Sequence, residues 1–155
     1  MESFSFIEIF RSAIDNEAFE SASMPGNYLK GVFRVVEEGY LEVDVPVRPE
    51  LCNPRGTIHG GMVSLIADEY IGVAILTKHA DYAYTSVNLN VDFLRPAVVG
   101  DVLRVKVRVL KPGRKISNVE VDIVNKASGK LVARAMSNML NTGIALMSSF
   151  PKKED

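Results

Sequence analysis

The chain has 155 residues, 47% of them hydrophobic and 24% charged, with a formal net charge of −1. That length and composition describe one globular domain with enough chain to bury a proper core. The balanced charge argues against nucleic-acid or anionic-membrane binding driven by bulk electrostatics. A single cysteine, Cys52, excludes an internal disulfide and suits a reducing cytoplasm. The N-terminus carries Glu2 and Glu8 and lacks the basic start of a secretory leader.

Phe6, Ile7, Phe10 and Ile14 recur at helical spacing and predict an amphipathic helix over about 4–21, which Met24-Pro25-Gly26 ends. Residues 28–37 and 40–47 read as two strands around Glu38-Gly39, with Leu41, Val43, Val45 and Val47 alternating against Glu42 and Asp44. Arg48-Pro49-Glu50 leads into a loop that opens at Asn53. From Gly60 to about residue 79 runs a proline-free apolar stretch, too long for a strand and apolar on nearly every side. It predicts a buried helix, and Asp68, Glu69 and Lys78 within it argue against a membrane span.

Strand patterns follow at 84–95, at 102–110, around Val119, Val121 and Ile123, and at about 131–141. The last has a small inner face (Ala133, Ala135, Ser137) that leaves room for a closely packed helix or a ligand chain. A hairpin folding about Pro112-Gly113 would set Lys106 opposite Glu120 and Arg104 opposite Asp122. The predicted layout is one helix, two strands, one long buried helix, then four strands in an antiparallel meander. A twisted sheet around a single apolar helix buries both, an α+β architecture.

Two features of the central helix are costly to stability. Gly60 and Gly61 stand at its start, directly after His59, and Asp68 sits mid-way along the apolar stretch. The glycines read either as an easy entry to the helix or as a close approach for a ligand to free backbone N–H groups. Asp68 reads either as one exposed position, with Glu69 and Lys78 as solvent-side companions, or as a base or nucleophile acting on a polarised carbonyl. Gly60 and Asp68 are roughly 12 Å apart along one helix at 1.5 Å per residue. One copy cannot place both beside one reacting atom, so a joint site requires Asp68 of one chain and Gly60 of another. Glu69 is a second carboxylate, but one residue along a helix points about 100° away. His59 reads equally as a structural hydrogen-bonding residue. With His79 at the far end of the helix and no cysteine or carboxylate cluster nearby, no metal site is expected.

The element order resembles the hotdog-fold thioesterases, in particular their phenylacetic-acid-degradation (PaaI-like) branch. So does the motif of Asn53 six residues before His59, then Gly60-Gly61, then Asp68 eight after Gly60. The resemblance covers nearly the whole chain and implies one hotdog domain over 1–155, with a C-terminal tail at about 145–155. It implies an acyl-CoA thioesterase without metal or bound cofactor, coenzyme A being part of the substrate. The Gly60 N–H would polarise the thioester carbonyl, and Asp68 of the neighbouring chain would activate water or attack directly. Asn53 and His59 would hold the loop and orient the thioester, Ser86 would position the water, and Gly61 would take part in binding. Strand alternation, however, puts Ser86 on the polar side unless a bulge or local twist intervenes. Arg95, Lys111, Arg114 and Lys115, expected to cluster at the ends of the middle strands, would serve the coenzyme A phosphates. Self-association as a homodimer, and commonly a homotetramer, is implied, with no nucleic-acid or membrane partner. Two alternatives share the fold: a non-catalytic acyl-CoA-binding protein and a hydroxyacyl dehydratase.

Overall fold

A computed structural model of the chain describes residues 5–146. The elements run α1 (Phe6–Ser12), α2 (Met24–Leu29), β1 (Val32–Glu37), β2 (Tyr40–Pro46), a short 3-10 turn (Pro49–Leu51), α3 (Gly60–Lys78), β3 (Tyr82–Phe93), β4 (Val102–Lys111), β5 (Ile116–Asn125) and β6 (Leu131–Ala145). The six strands form one antiparallel sheet in the order β1-β2-β4-β5-β6-β3. The sheet wraps α3, whose Ile66, Ala67, Ile71 and Ala74 are fully buried against Val43, Val45, Val105, Val107 and Val121. By length and composition α3 would cross a membrane, but here it is the core helix. The expected α+β architecture is the observed one.

The N-terminal helix is shorter than its periodicity suggests, 6–12 rather than 4–21. Past Ser12 the backbone is claimed by β1: Ile14 bridges Phe33, and the Asp15 N–H donates to the Phe33 carbonyl. Asp15 turns left-handed there (φ +56°), a conformation that aspartate tolerates better than most residues. Phe10, Phe19, Phe33 and Tyr70 then pack edge-on and tilted, so the apolar stripe is spent on an aromatic cluster rather than on one long helix. Met24-Pro25-Gly26 begins a helix instead of ending one. Ser23 caps it, accepting from the Gly26 N–H, and proline is at ease in a first turn where its missing N–H costs nothing. Left-handed Lys30 stops α2, so β1 starts at Val32 and not at 28.

The last four strands are not a simple meander. β4, β5 and β6 are, but β3 pairs with β6 and forms the far edge of the sheet. The connection from β3 to β4 crosses beneath the start of α3: Ile58 N–H donates to Ala97, Thr57 bridges Val98, and Val47 N–H donates to Asp101. The β4–β5 register is also two residues off the expected one. Lys106 faces Asp122 and Arg108 faces Glu120, because an irregularity at Val109/Lys111 and a wider turn lengthen the hairpin. A shift of two keeps every side chain on its expected face. It also frees Arg104, which with Arg34 and Lys126 surrounds the buried Asp44 at 2.8–3.1 Å.

Candidate active site

The start of α3 is built by its own cap. His59 keeps extended backbone angles while its Nδ1 accepts from the Gly61 N–H at 2.8 Å. Its carbonyl takes the Met62 and Val63 N–H groups. A neutral imidazole that accepts at Nδ1 carries its proton on Nε2, so the cap leaves an outward N–H donor on this exposed ring. The Gly60 N–H has no acceptor among the described residues and is the free donor at the positive end of the helix. Gly61, expected to take part in binding, has its N–H committed to His59 instead. Phe93, at the end of β3, lies beside Gly60. A Cβ added to Gly60 would meet the Phe93 ring at 3.3 Å.

The loop before the cap is held by Asn53. Its Oδ1 accepts from Arg55 and Thr57 N–H groups, and its Nδ2 donates to Thr57 Oγ1 at 2.8 Å. Three hydrogen bonds of this amide shape the loop, and one N–H of Nδ2 has no acceptor among the described residues. Gly56, at φ +77°, completes the turn that the amide closes.

Two turns further along α3, Asp68 is exposed and its Oδ1 accepts from Ser86 Oγ at 2.7 Å. Ser86 reaches it through a bulge. Ser86 pairs with Met139 and Asn88 with Asn138, leaving Val87 as the extra residue, 56% exposed. The bulge resets the alternation so that Ser86 shares the helix-facing side with Leu89 and Val91, against the polar-side placement that strict alternation predicts. Met139 Sδ lies 3.3 Å from the same Ser86 oxygen, a neighbour the sequence did not signal. Glu69 points elsewhere, accepting from Ser23 Oγ at 2.9 Å, and burial pushes its carboxyl pKa up.

Asn53, His59 and Gly60 thus form one group at the start of α3, and Asp68 and Ser86 form a second. The roughly 12 Å of helix between Gly60 and Asp68 keeps the two groups apart within one chain. The four basic residues do not form one cluster. Arg95 donates to the Leu131 carbonyl at the start of β6, whereas the Arg114 and Lys115 carbonyls accept from Asn141, ten residues on. Along a strand that is roughly 30 Å. Lys111 lies at the same end as Arg114 and Lys115, pairing with Asn118. Among the described residues, no three histidine, cysteine or acidic side chains are grouped as a metal would need.

The thioesterase superfamily model matches residues 55–132, half of the chain, including His59, Gly60, Asp68 and Ser86 but not Asn53. Human acyl-coenzyme A thioesterase 13 is 32% identical over 96 residues, covering 62% of this chain and 69% of that protein. The crystal structure of a phenylacetic acid degradation-related protein from Ralstonia eutropha is 32% identical with a TM-score of 0.72, covering 85% of this chain and 98% of that one. The Escherichia coli PaaI protein superimposes with a TM-score of 0.74 at 24% identity over 80% and 88% of the two chains, a likeness of fold. The sheet wrapped on one helix, the capped glycine turn and these matches agree: the chain belongs to the thioesterase superfamily, in its PaaI-like hotdog branch.

Proposed function

We propose that the protein hydrolyses the thioester of an acyl- or aryl-coenzyme A to the free acid and coenzyme A, at a site shared by two chains. The observation that carries this is the exposed Asp68 carboxylate held by Ser86 at 2.7 Å, on the same helix as the uncommitted Gly60 N–H. The thioester oxygen lies against Gly60 N–H at the helix start, where a developing negative charge is stabilised. Asp68 of the partner subunit takes a proton from water as the water oxygen attacks the carbonyl carbon. Collapse of the adduct breaks the C–S bond, and the same carboxyl returns the proton to the departing thiolate. Direct attack by the carboxylate, followed by hydrolysis of the anhydride, uses the same two groups. Ser86 orients Asp68 and the water, and Asn53 and His59 keep the loop and cap in shape. β3 supports a two-chain site, because it is the outer edge of the sheet and offers an unpaired strand to a second copy. Antiparallel pairing there would run the two α3 helices past each other and bring the Arg95 end of one chain toward the Lys115 end of the other.

Release of free thiol from acyl- and aryl-coenzyme A substrates tests the reading directly. Asp68→Asn keeps the size of the side chain and removes its charge, so the fold should survive while turnover falls by a factor on the order of 10² or more. An Asp68→Asn protein with undiminished thiol release would overturn the assignment.

A further inference from the structure

Gly72 stands in the middle of α3, where glycine weakens a helix relative to alanine. Its backbone gives no reason for it, since its φ is not positive. Packing gives none either. A Cβ would strike Tyr70 at Gly31 and crowd Phe93 at Gly60 and His59 at Gly61, but a Cβ on Gly72 meets nothing within 4 Å. A half-buried glycine facing open space on a core helix suggests that the space is used.

That space belongs to an apolar cavity of about 630 Å³ between α3, α1 and the start of β3, walled by Phe6, Ile9, Phe10, Leu76, Tyr84 and Met139. It adjoins the candidate carboxylate by two routes. Gly72 is four residues past Asp68 and so lies on the same helix face, one turn on. Met139, from the opposite wall, touches the Ser86 hydroxyl that holds Asp68.

We infer that this cavity receives the apolar acyl group of the substrate, with the missing side chain of Gly72 setting how long a chain enters. The inference rests on the thioesterase reading and adds a substrate class to it. Pockets of ~300–1,000 Å³ enclose drug-sized ligands, so an acetyl group would leave most of this one empty. A medium-length hydrocarbon chain fills it. Glu69 also lines the cavity and repels an acyl group that ends in a second carboxylate.

The test uses S-methyl- and S-octyl-coenzyme A, thioethers that bind but cannot be hydrolysed, with affinity read by calorimetry. Wild type should prefer S-octyl-coenzyme A by more than about tenfold, since each buried methylene contributes roughly fourfold. Gly72→Leu should reduce that preference to below about threefold by filling the entrance. Gly72→Ala should fall between the two and melt no lower than the parent, alanine being the better helix former. An unchanged preference in both variants would overturn the inference. So would loss of self-association in Gly72→Leu with the preference intact, which would assign the glycine to a helix crossing between copies. Strong S-octyl preference with no thiol release from any acyl-coenzyme A would remove the thioesterase reading and leave the pocket. Thiol release at equal efficiency for acetyl and octanoyl substrates, with no S-octyl preference, would do the reverse.

Discussion

Asp68 and Glu69 are adjacent carboxylates with opposite surroundings. Asp68 is exposed and bonded to Ser86, while Glu69 is half-buried and bonded to Ser23. Burial raises the Glu69 pKa, the Ser23 hydrogen bond opposes that, and the nearby Asp68 charge adds to it. An acid whose folded pKa lies above its unfolded one penalises the fold at high pH. The penalty is absent below the ordinary value of 4.5, grows as pH rises from there, and is complete above the raised folded value. Glu69→Gln keeps an acceptor for Ser23 and removes the charge. It should therefore raise Tm at neutral pH, with the gain vanishing below about pH 4.5, and it should leave thiol release largely intact. A melting series from pH 4 to 8 with parallel activity assays checks both halves. Abolished turnover would make Glu69, not Asp68, the working carboxylate. The helical period already separated the two residues by about 100° in the sequence. Ser86 was less legible, because a one-residue bulge at Val87 reverses the face of everything before it and alternation carries no trace of that.

At the scale of elements, local pattern set the identity of the strands and, away from the Val87 bulge, their faces, and long-range pairing set what pattern could not. Val119, Val121 and Ile123 on β5 are buried as their alternation implies, joined by Ser117, which it does not name, and α3 runs from Gly60 to Lys78 as its unbroken apolar run implies. The early end of α1 depends on Asp15 reaching Phe33, and the edge position of β3 on a connection that bonds to Thr57 and Ile58. Neither partner is near in sequence. The expected pairing of Arg104 with Asp122 failed for the same reason. Arg104 turns across to β2, and Asp122 instead holds Arg134 through two hydrogen bonds of 2.7 and 3.0 Å. Asp44 on β2, its side chain 4% exposed, gathers Arg34, Arg104 and Lys126. Burial alone would raise its pKa, but the hydrogen bonds from Arg104, Lys126 and Arg34 prevail and lower it to about 2. A lowered acid pKa stabilises the fold above the unfolded value of 3.8, and that stability is lost as pH falls toward 2. The difference is worth about 2 kcal/mol at neutral pH. Asp44→Asn should cost at least that in denaturant unfolding at pH 7, with the gap between the proteins closing through the acid range. An equal gap at pH 7 and pH 2 would mean that the loss is steric rather than ionic.

The whole molecule is where the proposed two-chain site becomes testable, because Gly60 and Asp68 of one copy lie too far apart along α3 to meet at one reacting atom. Gly60→Val should disable the first half. A Cβ there already meets the Phe93 ring at 3.3 Å, and the added methyl groups crowd the space where a carbonyl must approach the N–H. Asp68→Asn disables the second half. In the proposed dimer, each variant alone would carry one defect in both sites and should be nearly inactive. A mixed dimer is different. One of its sites takes Gly60 from the Asp68→Asn chain and Asp68 from the Gly60→Val chain, and is intact, while the other carries both defects. After free exchange at equal concentrations half the dimers are mixed, so thiol release should return to about a quarter of the wild-type level per chain. The recovered activity should follow the mixed species when chains carrying different tags are separated after exchange. No recovery despite verified exchange would place both residues in one chain's site, or neither in any. A monomer by light scattering with full thioesterase activity would reject the shared site before any mixing is done.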